Sequence, residues 1–338
     1  MRSSFFVRLV NGPFGDPALY ARVAHRREAL LFDCGDLHAL SARDLLKIQA
    51  VFVSHAHIDH LIGFDHLLRT FLYRPQPLLV YGPPGTAERI AHRLAGYTWN
   101  LIHGYPLSIE VREWAPDGHG RALRFRAARG FAAEPAPPHA CPAGLLHETS
   151  RYQVHAAPLE HGDIDCLAFV LEEKLHVAIH RDALERLGHP PGAWLADFKD
   201  LLRAAAPADT PLSVPRTAGA PVRRSLGELA KQIAHCEPGM KIAYVTDASP
   251  TAANAETILK LAADADLLVI EATFAEADRR LAQERNHLSA ALAGQLARRA
   301  GARKLLVFHH SPRYQNQPQR LREEAFSAFG AGRNDAQP

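Results

Sequence analysis

The chain has 338 residues, 47% of them hydrophobic and 22% charged, with a formal net charge of +3. That apolar content excludes a disordered chain, and no apolar run approaches the roughly 18 residues a membrane-spanning helix needs. The mild positive charge permits nucleic-acid binding without requiring it. Cys34, Cys141, Cys166 and Cys236 are widely spaced, with no Cys-x-x-Cys pair, so they read as reduced packing residues in a reducing compartment. The first apolar run is broken by Arg8 and then by Gly12 and Pro13, too soon for a secretory signal, and a cytoplasmic protein is expected.

In chain order, residues 5–10 predict a strand closed by an Asn-Gly-Pro turn, and 29–32 a second strand ending at Asp33-Cys34-Gly35. A helix is expected over 40–46, a buried strand at 51–53, and a helix over 61–71. A strand at 78–81 runs into Gly-Pro-Pro-Gly, after which Thr86 can cap a helix through about 94. Period-two alternation between 107 and 131 predicts antiparallel strands, and 134–144 reads as a Pro-rich loop. Strands at 152–159 and 166–172 flank Glu160-His161. Residues 190–238 form the least regular stretch, an inserted arm with short helices at 194–204 and 225–234 and with Arg216, Arg223, Arg224 and Lys231. Regular alternation then returns: a strand at 242–245 ending at Thr246-Asp247, a helix at 253–263, and a strand at 267–270 ending at Glu271. Helical segments at 275–283 and 289–300 precede a last strand, 305–308, ending at His309-His310. Repeated strand–helix alternation predicts a single α/β body with an insertion.

The densest chemical signal is residues 51–60, Val-Phe-Val-Ser-His-Ala-His-Ile-Asp-His. His55 and His57 alternate to one side of an extended turn, while Asp59 and His60 fall where the chain curls into a helix and can face a second ion. Imidazole with carboxylate suits zinc and its first-row neighbours better than magnesium or calcium. Residues at other strand ends complete two sets: His55, His57 and His161 for one ion, Asp59, His60 and His309 for the other, with Asp247 bridging. Two ions ~3.5–4 Å apart can activate one water and stabilise a leaving oxygen, the chemistry of hydrolysis. Of His309 and His310 only one can point inward if the strand continues. His176, His180 and His189 lack such placement and read as surface residues.

The succession Leu-Leu-Phe-Asp-Cys-Gly-Asp (30–36), Ser-His-Ala-His-Ile-Asp-His (54–60), Leu-Glu-His (159–161), Thr-Asp-Ala (246–248), Ile-Glu-Ala-Thr-Phe (270–274), Asn-His-Leu-Ser-Ala (286–290) and His-His-Ser-Pro-Arg-Tyr (309–314) resembles the metallo-β-lactamase superfamily and, within it, the ribonuclease Z family. The resemblance covers most of the chain. It implies a four-layer αββα sandwich and a dinuclear centre, with two Zn2+ expected and Mn2+ or Fe2+ as alternatives, held by the same seven residues. It also implies that Asp59 helps to orient the attacking water, that Glu271 and His287 handle the proton of the leaving 3′ oxygen, and that Arg313 and Tyr314 contact substrate phosphate. The implied substrate is precursor tRNA, and the implied assembly is a homodimer in which the arm of one subunit reaches RNA on the other. The chain departs from the family pattern at Ile270, where His is usual, at Ala248 after the bridging carboxylate, in its opening loop, and in an arm not rich in lysine and glycine. The expected activity is phosphodiester hydrolysis at tRNA 3′ ends. A small-molecule hydrolase acting on a cyclic nucleotide, thioester or lactone is the alternative on the same scaffold, and a non-catalytic binding protein a third reading.

Overall fold

The computed structural model describes residues 4–117, 120–137 and 141–330. Two sheets organise the larger of two compact units, which takes in residues 1–146, 154–171 and 241–338. The first sheet has eight strands in sequence order, Phe5–Leu9, Leu19–Val23, Ala29–Phe32, Ile48–Phe52, Leu78–Gly82, Ser108–Glu113, Ala122–Arg126 and Ala133–Pro135. Its middle four strands run parallel and its flanks antiparallel. The second is ordered Leu305–Phe308, Leu267–Glu271, Lys241–Val245, Ile164–Glu173, Tyr152–His161, Leu145–Glu148, its first three strands being parallel.

Side-chain alternation explains the layering. Leu31, Val51 and Val80 send their side chains to a core shared with Phe64, Leu67, Ala87 and Ile90 of the helices Phe64–Phe71 and Thr86–Ala95. Their neighbours Phe32, Phe52 and Tyr81 face the other way and stack, with ring centroids 5.0 and 5.1 Å apart. Phe32 meets Phe169 and Tyr244 of the second sheet at 5.9 and 5.8 Å. The outer face of that sheet, Ala243, Val245, Leu268 and Ile270, is covered by Ile258, Ala293, Leu296, Leu321 and Ala325, which belong to the helices Ala252–Leu261, Ala290–Arg299 and Arg320–Gly330. Both faces of the central strands are thus apolar, so their sequences read as continuous runs without alternation. Helix, sheet, sheet, helix is the metallo-β-lactamase arrangement.

Several local features differ from expectation. The helix expected to begin at 61 is two helices, Ile58–Leu61 and Phe64–Phe71, joined across Gly63, so helix starts inside the histidine motif. Thr86 does not cap: Gly85, at φ +87°, precedes the helix, and the Thr86 hydroxyl donates to the Pro83 carbonyl at 2.7 Å. The strand Leu19–Val23 and the final helix Arg320–Gly330 were not anticipated. Part of the expected loop at 134–144, namely 138–140, lies outside the described residues.

The second unit comprises residues 147–153 and 172–240. It takes in the 190–238 excursion but begins earlier, and it is more regular than its composition suggests. Strands His176–Ile179 and Ala234–Glu237 pair antiparallel, as do Pro211–Val214 and Val222–Ser225. Helices Arg181–Arg186, Trp194–Arg203 and Leu226–Ile233 close over Leu184, Phe198, Val214, Leu229 and Ile233. His189 is not a surface residue: it is buried, with Nδ1 2.9 Å from the Pro215 carbonyl.

Candidate metal centre

The strand Ile48–Phe52 ends under both sheets, and the chain leaves it as Val53-Ser54-His55 with all three residues buried. Asp33 terminates the neighbouring strand in the left-handed region, at φ +56°, and is fully buried. Its Oδ1 accepts from the Ser54 amide at 2.7 Å. Its Oδ2 accepts from the Ser54 hydroxyl at 2.9 Å and the Tyr244 hydroxyl at 2.8 Å, and lies 3.0 Å from His60 Nδ1. The carboxylate therefore holds the Nδ1 side of His60 and turns Nε2 outward, the usual way a histidine is oriented toward a metal.

The seven expected ligands converge. His55, His57, His161 and Asp247 offer ligand atoms all within 4.8 Å of one another, and Asp59, His60 and His309 form a second such group. Asp247 lies between them: its Oδ2 is 3.6 Å from Nε2 of His55, of His60 and of His161, and its Oδ1 is 3.1 Å from His309 Nδ1. Asp59 Oδ2 faces His60 Nε2 at 3.5 Å and His309 Nε2 at 3.3 Å. His309 reaches this position in the left-handed conformation, at φ +58°, a strain of the kind kept at functional sites. His310 turns away, with Nδ1 2.8 Å from the Ala272 carbonyl and its ring edge-on to Phe14.

Whether these residues fit divalent ions is answered by the protein's own polar atoms. His55 Nε2 and His60 Nε2 are inaccessible to solvent and have no hydrogen-bond partner. Buried imidazole nitrogens left so are costly unless something takes their lone pairs. Burial, with His60 alongside, pushes the His55 imidazole down to about 2, so it is neutral and able to donate a lone pair. Burial acts to raise Asp59, but the hydrogen bond from His309 and the adjacent His60 bring it down to about 2, leaving a carboxylate. A neutral His55 and an ionised Asp59 belong to the donor set that zinc and similar ions accept. At His60 and His309 burial opposes charge, but Asp247 and the carboxylates beside it hold both up toward the cation, so an ion would displace a proton there.

Beside the ligands lies an acid–base pair. Glu271, fully buried at its strand end, accepts from the Ala248 amide at 2.8 Å, from the Thr273 hydroxyl, and lies 3.0 Å from His287 Nδ1. Burial opposes charge on His287, but Glu271 overrides it and holds the imidazole up to about 9. The Thr273 hydroxyl also lies 2.8 Å from the His309 carbonyl, so its single hydrogen is shared between that oxygen and Glu271, and it ties the pair to the ligand loop. Ile270 points the other way, into the helix-side core; its side chain is remote from this chemistry because successive strand residues face opposite sides.

Arg313 is half-exposed, with Nη1 3.5 Å from Asp278 Oδ1. Tyr314 is buried, its hydroxyl donating to Asp278 and accepting from the Ala275 amide at 3.1 Å. Its single donor hydrogen is thus engaged by Asp278, and a phosphate contact from Tyr314 would require that bond to be exchanged. Asp33, Thr273 and Asn286, whose carbonyl lies 2.9 Å from His161 Nδ1, were not anticipated. Asp33 alone carried a signal, an acid directly after an uninterrupted apolar strand.

Comparison with known proteins agrees with this geometry. Residues 30–180 match the beta-lactamase superfamily domain. Ribonuclease Z of Deinococcus radiodurans is 34% identical over 289 residues, covering 84% of this chain and 83% of that protein. Ribonuclease Z of a Picosynechococcus species is 29% identical over 299 residues, covering 87% and 78%. The crystal structure of human short-form tRNase Z superposes with a TM-score of 0.54 at 21% identity, covering 92% of this chain and 93% of that one, a likeness of fold. With the family motifs in order along most of its length and the ligand groups assembled at the ends of its strands, the chain belongs to the ribonuclease Z family, metal-dependent hydrolases built on the metallo-β-lactamase fold.

Proposed function

We propose that the protein is an endoribonuclease that cleaves precursor tRNA at the 3′ end of the mature sequence, with two zinc ions as the preferred cofactors and manganese or iron as substitutes. The observation that carries this reading is the juxtaposition, around Asp247, of two ligand groups with the Glu271–His287 pair; the tRNA substrate follows from the ribonuclease Z relatives. Asp247, which faces both ligand groups, would help to hold both ions. When bound, the ions supply Lewis acidity and lower the pKa of water toward neutrality.

The chain's own residues do the rest. Asp59, partly exposed beside both groups, accepts a hydrogen bond from the attacking water and aims it at phosphorus. The P–O3′ bond breaks as the new P–O bond forms, leaving phosphate on the trailer. His287, kept cationic by Glu271, gives its proton to the departing 3′ oxygen and is positioned for this by the buried carboxylate behind it. The half-exposed Arg313 guanidinium meets the substrate's phosphate charge. Among the described residues no helix is long and apolar enough to cross a membrane. A homodimer, with residues 190–238 of one subunit gripping RNA held by the other, completes the reading.

The test is cleavage of a precursor tRNA carrying a 3′ trailer by zinc- or manganese-loaded protein, with Asp247→Ala as the blank. A cut after the acceptor stem, absent in the blank, is expected. Protein that holds two ions and hydrolyses a small phosphodiester but leaves the trailer intact would overturn the tRNA reading.

A further inference from the structure

His161 and Asp247 come from separate segments, joined by the Ser249 amide donating to the Glu160 carbonyl at 2.8 Å and reinforced by a buried side-chain amide. Asn254, 3% exposed in the first turn of the helix Ala252–Leu261, makes three side-chain hydrogen bonds. Its Oδ1 accepts from the Glu160 amide at 2.9 Å, and its Nδ2 donates to the Glu160 carbonyl and to the Ser249 carbonyl, both at 2.8 Å. It thus clamps the residue before His161 and the residue two beyond Asp247, using the full face of its amide. Ser249 extends the clasp. Its amide donates to the Glu160 carbonyl at 2.8 Å, and its hydroxyl accepts from the Gly162 amide at 3.0 Å and meets Asn286 Oδ1 at 3.2 Å. Asn286, in the left-handed conformation at φ +59°, closes the ring by presenting its carbonyl 2.9 Å from His161 Nδ1. A carbonyl only accepts, so Nδ1 carries the hydrogen and Nε2 is left bare toward Asp247, 3.6 Å away.

We propose that Asn254 and Ser249 are positioning residues that set the spacing of His161 and Asp247, and with it the affinity of the His55–His57–His161–Asp247 group for its ion. The inference rests on the metal-site reading above. Neither residue contacts an expected ligand atom; each acts by fixing backbone on both sides of a pair of ligands. The clasp bears most directly on the group containing His161, because His60 and His309 lie on other elements and are held by Asp33 and Thr273, whereas Asp247 faces both groups. Removing it should therefore weaken the His161 group more than the other.

The experiment is a zinc titration of metal-free protein by calorimetry, with bound metal counted by mass spectrometry, for wild type, Asn254→Ala and Ser249→Ala. Wild type is expected to take up two ions. Both variants are expected to lose ~10–100-fold in affinity at the His161 site and less at the other, which shares only Asp247, and the metal-induced rise in Tm should shrink accordingly. Ser249→Ala leaves the helix intact and guards against a folding defect in Asn254→Ala. In metal-free wild type the long-range 15N spectrum should show His161 as the Nδ1–H tautomer, and both variants should lose that single form. Failure of wild type to bind two ions overturns the metal-site reading and the clasp with it. Two-ion wild type together with unchanged affinities in both variants overturns the clasp alone and leaves Asn254 as a plain structural amide.

Discussion

Asp247 is the residue on which the centre turns, because one oxygen faces three histidines and the other faces His309. Replacing it with alanine removes the group shared by both ligand sets, so Asp247→Ala should abolish hydrolysis and bind fewer than two equivalents of metal. Full metal content in that variant would contradict the bridging role. At the C-terminal Arg-Tyr pair the two side chains differ in exposure, Arg313 half-exposed and Tyr314 buried. Arg313→Ala should weaken phosphodiester turnover with metal content unchanged, and an equal loss on an uncharged ester would count against a phosphate contact. Tyr314→Phe should leave turnover almost intact but lower stability by about 1–3 kcal/mol in thermal unfolding, since Asp278 and the Ala275 amide lose a buried partner.

At the scale of elements, the histidine motif is seated by glycine. A Cβ on Gly63 would lie 2.0 Å from the Gly35 carbonyl oxygen and 2.7 Å from Leu37, and the Gly63 amide donates to the Cys34 carbonyl at 2.9 Å. The helix pair carrying Asp59 and His60 therefore abuts the loop after Asp33 with no room for a side chain. Gly63→Ala should cost about 1–3 kcal/mol, as overpacking does, measured by urea unfolding in a chelator; stability equal to wild type would refute the close approach. The clustering of the seven expected ligands was legible in the sequence because four sit together after an apolar strand and the others each follow one. Asp33 also follows an apolar strand, but its partner His60, and the partners of Asn286 and Thr273, lie 27, 125 and 36 residues away, and no local spacing records such contacts. The secondary structure of 172–240 was only half legible for a related reason: the strands His176–Ile179 and Ala234–Glu237 pair across a wide gap, and the Pro- and Gly-rich joints conceal a small core.

For the molecule as a whole, ligand burial makes metal a component of stability. A chelator should lower Tm, by an amount equivalent to about 2.7 kcal/mol when free metal had stood at 100 times Kd, and acidification should do the same as the imidazoles protonate. An unchanged Tm after complete metal removal would show that the centre is already rigid without it. Deleting 190–238 should impair cleavage of precursor tRNA far more than hydrolysis of a small phosphodiester, and equal losses on both would remove the arm from substrate recognition. Because that segment contributes Phe198, Leu229 and Ile233 to its unit's core, the deletion is best paired with Arg216→Ala and Arg223→Ala, which change exposed charge and spare the packing.

His309 meets Asp59 across 250 residues of sequence. Contacts of such long range close late in folding, after local helices and hairpins have formed. The first strands and the motif 54–60 can reach their places while the second ligand group still lacks its final member. Metal captured early would find an incomplete and weaker set, and tight retention is expected only once the strand Leu305–Phe308 has docked at the edge of its sheet, which zinc release measured at intervals during refolding would check.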